Sequence, residues 1–150
     1  MPLILIISGK RLQFLPYLAA GLFFSLFPGG KPEIKAIERL PFYMPGNRPG
    51  EFIYCGRKEK TRVYLLQASA YGPVLKRTLE SFSRLYGIDE GLYIYDTDNL
   101  DNIWFQLASQ ASRMGLPPGL IELLYQRGLA GILTRLKQTI TSLEKEVVAD

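Results

Sequence analysis

Hydrophobic positions along the chain change period several times, and each change marks an element. The first run, PLILIIS (Pro2–Ser8), is almost continuously apolar and rich in isoleucine, the pattern of a strand buried on both faces. Gly9 punctuates it. From about Leu12 to Phe27 the sequence LQFLPYLAAGLFFSLF is apolar nearly throughout. It predicts a helix buried on most sides, with Pro16 early enough for the first turns to tolerate. PGGKP (Pro28–Pro32) ends that helix, and Pro32 then opens a short one with Ile34, Ile37 and Leu40 on one side. Leu40–Gly50, rich in proline and glycine, reads as an ordered loop.

EFIYCG and TRVYLLQAS are both strand-like, and the charged stretch RKEK between them predicts a β-hairpin with a polar turn. Gly72–Gly87 is the clearest helix, with Val74, Leu75, Leu79, Phe82 and Leu85 as its apolar stripe and Gly87 at its C-cap. Another strand follows at Leu92–Tyr95. Next comes a helix from about Leu100 to Met114, with Ile103, Leu107 and Ala111 along one side, stopped by Gly115 and Pro117-Pro118. Gly119–Gly128 fits a short helix or a last strand, and periodicity leaves the choice open. The chain closes on an amphipathic helix carrying Ile132, Leu136, Ile140 and Leu143. Alternating strands and helices give an α/β class: a three-layer sandwich over one domain, 1–150, with a mostly parallel Rossmann-like sheet and an inserted β-hairpin.

Composition narrows the chemistry. With 150 residues, 47% hydrophobic and 21% charged, the chain can bury a full core. Its net charge of +4 comes from scattered residues and one short cluster, Arg57, Lys58, Lys60 and Arg62, broken by Glu59. Nucleic-acid binders usually carry a basic stripe or helix, so this distribution argues against nucleic acid as a partner. The one cysteine, Cys55, and the lack of histidine rule out an intramolecular disulfide and a Cys/His zinc site. The usual general base near neutral pH is missing as well. Catalysis would rest on Asp, Glu, Lys, Tyr, Cys or a carboxylate-bound metal.

Leu12–Phe27, preceded by Lys10-Arg11, invites comparison with a signal-peptide core or a membrane segment. It is shorter than the ~20 residues a membrane helix needs. The residues before Lys10 are apolar rather than a charged leader, and no small-x-small cleavage site follows. A buried helix and a cytoplasmic location are the expectation, and membrane attachment through Leu12–Phe27 stands as the weakest alternative.

Two places could hold a site. The order strand, Gly9, Lys10, helix is that of a phosphate loop, which needs G-x-x-x-x-G-K-[ST] so that backbone amides wrap the phosphates and a hydroxyl holds magnesium. Ile4 stands at the first glycine and Arg11 follows Lys10, so nucleotide hydrolysis is unsupported. What is left is an anion site from Gly9, Lys10, Arg11 and the next helix's N-terminus, against a plain solvated turn. The second place is YDTDNLDN (Tyr95–Asn102). In open α/β sheets ligands bind beyond the strands' carboxyl ends, where Asp96, Thr97 and Asp98 are expected. Asp96 and Asp98 could hold a hard cation through oxygen ligands, but the calcium-loop pattern fails because Leu100 occupies a ligand position. Helix capping by Asp98 or Asn99, with Asp101 favouring the dipole, is the simpler reading. Cys55 reads as a small hydrophobe in a strand, Tyr54, Tyr64, Tyr93 and Tyr95 as core or sheet-face packing, and Trp104 as core.

The segments IKAIERLPFY, GEFIYCG, VYLL, LESFSRLYGID and YDT, then Asn102 and SRMGL, occur in this order. The series resembles the uncharacterised family of largely spore-forming Gram-positive bacteria catalogued as domain of unknown function 3189, over about residues 3–146. In that family the first strand leads into a Cys-Tyr-Gly-Gly-x-His-Ser-Ser type loop and a small-residue helix. Laid on it without gaps, this chain has Lys10-Arg11 at the glycine pair, Gln13 at the histidine and Phe14-Leu15 at the serines. No catalytic residue carries over; no metal ligand is assigned and the cofactor stays open. Matching positions are Asp96, Thr97, Asn102, Ser112 and Arg113. The expectation is a non-catalytic interaction or regulatory module with a degenerate ligand loop, its partner another protein or a second copy. The alternative is a small-ligand or phosphate-binding protein or enzyme using Gly9-Lys10-Arg11 and Asp96-Thr97, with Asn102 and Arg113 as further candidates.

Overall fold

The computed structural model describes residues 3–9, 14–27, 32–44, 48, 50–67, 72–85 and 92–148. Its elements run β1 (Leu3–Gly9), α1 (Leu15–Phe23), α2 (Ile34–Glu38), β2 (Phe52–Lys58), β3 (Thr61–Gln67), α3 (Gly72–Leu85), β4 (Leu92–Asp96), a 3-10 turn (Thr97–Leu100), α4 (Ile103–Arg113) and α5 (Pro118–Val148). The four strands form one sheet in the order β2-β3-β1-β4. β1 pairs in parallel with β3 and β4, whereas β2 pairs antiparallel with β3. The sheet is therefore mixed, which corrects the expectation of a mostly parallel one. The inserted hairpin supplies one of only three pairings and so weighs heavily in so small a sheet.

Strand pairing sorts the side chains by face, because paired residues point the same way. Leu5 and Ile7 of β1, Val63 and Leu65 of β3 and Ile53 of β2 join the main core with α1, α4 and α5, and Tyr93 and Tyr95 pack against it. Ile6 and Leu66 are buried on the opposite face as well, and α3 contacts β4. β1 is thus buried on both faces over residues 5–9, as its continuous apolarity requires.

α1 is shorter than the apolar run suggests, with Pro16 in its first turn and eight of its nine residues buried. Leu12 and Gln13 lie outside the described residues. α2 buries Ile37, and Leu40 just beyond it is buried too. The segment whose type periodicity left open is helix, continuous with the closing one: α5 runs 31 residues, about 46 Å. Tyr125, Leu129, Ile132, Leu136 and Ile140 form its buried stripe, at the i, i+4, i+7 spacing of a helix face.

Two expected stripes are corrected. In α4 the buried positions are Phe105, Ala108, Ser109 and Ala111, while Ile103 and Leu107 face solvent. In α3 Val74 and Leu85 are exposed. Gly87 lies outside the described residues. Trp104 is half-buried rather than core, with the Arg127 guanidinium 5.2 Å from its ring centroid.

Candidate functional site

The carboxyl ends of β1 and β4 bring together two stretches that are 87 residues apart in sequence. Ser8 pairs with Asp96 in the sheet, so Gly9 and Thr97 begin the two departing segments side by side. Thr97, 1% exposed, donates from its hydroxyl to the Ser8 carbonyl at 2.9 Å. That bond locks the 3-10 turn to the end of β1 and satisfies a buried carbonyl. Gly9 is buried, pairs with Gln67 on its other side, and is the last residue of its strand. Lys10 and Arg11, the charges expected at this turn, lie outside the described residues.

Asn102 belongs to the turn that follows. Its side-chain oxygen accepts from the Phe105 amide at 3.1 Å, the N-cap bond of α4, and its amide nitrogen donates to the Gly128 carbonyl at 3.2 Å. The cap therefore falls on Asn102, not on Asp98 or Asn99 as expected. The Asp101 carboxylate accepts from the Asn102 amide at 3.0 Å. Arg113 stands exposed in the last turn of α4, about 16 Å along the helix axis from Asn102, where a cation complements the helix dipole. The structure thus gathers Gly9, Asp96 and Thr97 at the carboxyl ends of two neighbouring strands, gives Asn102 a capping role nearby, and leaves Arg113 apart. Among the described residues no group of three Cys, Asp or Glu side chains gathers closely enough to hold a metal ion.

Cys55 occupies a β-bulge in β2, where the pairing shifts between Tyr54 and Gly56. Burial pushes its thiol up to about 12, so at neutral pH it is a protonated packing group rather than a nucleophile. The bulge has a second consequence. Past it, Lys58 pairs with Thr61 on the core face, while Arg57 pairs with Arg62 on the outer face. Lys58 donates to the Phe23 carbonyl at 2.8 Å and pairs with the Glu144 carboxylate.

Two surfaces escaped the sequence pattern. Ile103, Leu107 and Met114 recur on one face of α4 and its C-cap, and Leu116, Leu120 and Leu123 lie in the connection and the first turns of α5; all six are exposed. On the outer face of the β2–β3 hairpin, Phe52 and Tyr54 are about half exposed beside Tyr64. The first could have been found by noticing that the small residues Ala108 and Ala111, not Ile103 and Leu107, suit a close helix contact. The second needed the register of the bulge.

No described helix is long and apolar enough to cross a membrane. The profile of a family described as a protein of unknown function (DUF3189) matches residues 14–145, most of the chain. No curated protein matches, and no solved structure does.

Proposed function

The chain belongs to the DUF3189 family of proteins of unknown function, and from that premise we propose that it is a non-catalytic interaction module docking through the α4–α5 hairpin onto a second copy of itself. The observation that carries this reading is the concentration of six exposed large apolar side chains on one helical hairpin, Met114 at 74% and Ile103 at 63% being the most open. Isolated exposed leucines are ordinary, but such a concentration of exposed apolar side chains on one hairpin of a small domain supports an interaction face. The hairpin offers a support for it, since α4 packs against α5 and Asn102 ties the start of α4 to Gly128. A two-fold pairing of such a face brings each helix against its symmetry mate. Light scattering after size exclusion tests this. A dimer that Met114→Glu with Leu123→Glu converts to monomer, with helix content unchanged, supports the reading. A wild-type protein that stays monomeric up to about 1 mM, a weak-dimer limit, overturns it.

A second reading is favoured by the Ser8–Asp96 pairing and the Thr97–Ser8 bond. The connections β1 to β3 and β3 to β4 cross the sheet in opposite directions, and right-handed crossovers then put α1 and α3 on opposite faces, with α3 as a third layer. The topological switch point, where α/β sheets bind ligands, then falls between the carboxyl ends of β1 and β3, beside the Gly9 end of the site. Asp96 and Thr97 flank Gly9 on its other side. In this reading Gly9, Lys10 and Arg11 take the anionic group of a small phosphorylated ligand, and Asp96 and Thr97 its hydroxyls. A thermal-shift screen against nucleotides, sugar phosphates and divalent ions tests it. Stabilisation that disappears in Lys10→Ala combined with Asp96→Asn supports the site, and no shift with any phosphorylated ligand rejects it.

A further inference from the structure

We propose that the outer face of the β2–β3 hairpin binds single-stranded nucleic acid, with bases on its rings and phosphates on its arginines. The bulge at Cys55 builds this face. On the outer side of the sheet it places Tyr54 opposite Tyr64 and then Arg57 opposite Arg62. Phe52, opposite Leu66, continues the row; its ring centroid lies 6.3 Å from that of Tyr64, and Tyr54 lies 5.3 Å away. Without the extra residue, Arg57 would point into the helix layer and Lys58 outward, because a one-residue shift reverses every following side chain.

The sequence shows only a short, broken basic run that argues against nucleic acid. The register, however, gathers Arg57 and Arg62 onto one face beside the rings, and there charge and apolarity both fit this occupant. Two like charges directly opposite one another on neighbouring strands repel, and both arginines are exposed. Arg57 uses its Nε on the Glu59 carbonyl at 2.6 Å, and no described carboxylate forms an ion pair with either guanidinium. A bridging anion would relieve the repulsion, and guanidinium groups match phosphate oxygens in geometry. Lys60 adds a cation at the turn, and Glu51 and Glu59 border the face. The rings sit two residues along β3 from the arginine pair, roughly 6.6 Å. One nucleotide carries a flat base and a phosphate within that span. A duplex hides its base faces, so a single strand is the form that suits exposed rings. An acidic peptide would satisfy the arginines alone.

Fluorescence polarisation of the full-length protein with labelled single-stranded RNA and DNA, at several salt concentrations, tests the proposal. The expected result is single-strand binding that exceeds binding of the matching duplex and of polyglutamate. Tyr54→Ala should weaken it roughly 5- to 150-fold, the range for loss of one stacking ring. Arg57→Gln with Arg62→Gln, at exposed positions where folding is not at stake, should lower the slope of log affinity on log salt by about 1.4. Lys137→Gln on α5 should leave binding unchanged. Binding that is absent at low salt, that survives the double arginine substitution with its salt slope intact, or that favours duplex or polyglutamate overturns the proposal.

Discussion

Lys58, at the end of β2, and Glu144, in the last turns of α5, form an ion pair that joins the hairpin to the C-terminal helix across 86 residues of sequence. The lysine also donates to the Phe23 carbonyl at the C-terminal end of α1 and lies 5.1 Å from the Phe23 ring centroid. One ammonium group thus ties together β2, α1 and α5, and it can do so only because the bulge turns it inward.

Both ends of this pair are partly solvated, at 27% and 37% exposure, so its Coulomb energy is screened and modest. The carbonyl it satisfies adds to its worth. Lys58→Met is expected to cost roughly 1 kcal/mol, about 2–4 °C in Tm for a chain of this size. Glu144→Gln should cost less, and its effect should shrink in about 1 M salt, where the Debye length is short. Urea unfolding of both variants at two salt concentrations checks this; an unchanged midpoint for Lys58→Met contradicts it.

The cap of α4 has two halves that substitution can separate. Asn102→Ala removes both the bond from the Phe105 amide and the bond to the Gly128 carbonyl, with an expected loss of about 2 kcal/mol. Asn102→Asp keeps an acceptor for the amide but loses the donor to Gly128, so it should fall between alanine and wild type. Denaturant titration gives the order, and an aspartate variant no more stable than alanine would show that the α4–α5 tie, not the cap, dominates.

Gly128 shows what a sequence pattern could and could not convey. The alternation of strands and helices and the hairpin were legible because continuous apolar runs, proline punctuation and turn residues act locally. Gly128 read as a boundary, yet α5 passes straight through it. Its missing side chain answers a tertiary demand: a Cβ there would lie 3.0 Å from the Asn102 side-chain oxygen and 3.2 Å from the Trp104 Cβ. The exposed stripe of α4 departs from the periodicity for a related reason. Helix period identifies an apolar face, but which face meets a neighbour depends on small residues such as Ala108 and Ala111. At the candidate site, Gly9, Asp96 and Thr97 come together by the rule for strand ends, while the one-residue bulge at Cys55 has a single local signature, the isolated strand glycine Gly56 with its positive φ.

Alkaline pH should expose the buried thiol. Cys55 ionises ordinarily near 9.0, and burial raises it to about 12 in the fold. Its contribution is therefore complete below about pH 9, where both states hold the proton. Above that the unfolded chain ionises first, and stability falls as pH climbs towards 12, by at most about 1.4 kcal/mol per pH unit. Tyr17, Tyr95 and Tyr125, all raised by burial from 10.0, steepen the loss above pH 10. Unfolding midpoints measured across this range should decline less for Cys55→Ala than for wild type between about pH 9 and 10. In the native protein near pH 8, alkylation of Cys55 should be far slower than in urea.

Tyr125 permits a sharper separation of packing from hydrogen bonding. Its ring is fully buried, 5.2 Å from the Phe14 centroid and 5.9 Å from that of Phe105, and its hydroxyl donates to the Pro32 carbonyl at 3.0 Å. The bond holds α5 against the segment leading into α2. Tyr125→Phe keeps the ring contacts but strands a buried carbonyl, an expected loss of about 1–2 kcal/mol. Tyr125→Ala also opens a cavity where three aromatic rings meet and should cost about 3–5 kcal/mol. The phenylalanine variant should also lose less stability above pH 10, since its phenol no longer ionises preferentially in the unfolded chain. Equal losses for the two variants would mean that the Pro32 bond, rather than the ring, carries the energy of this contact.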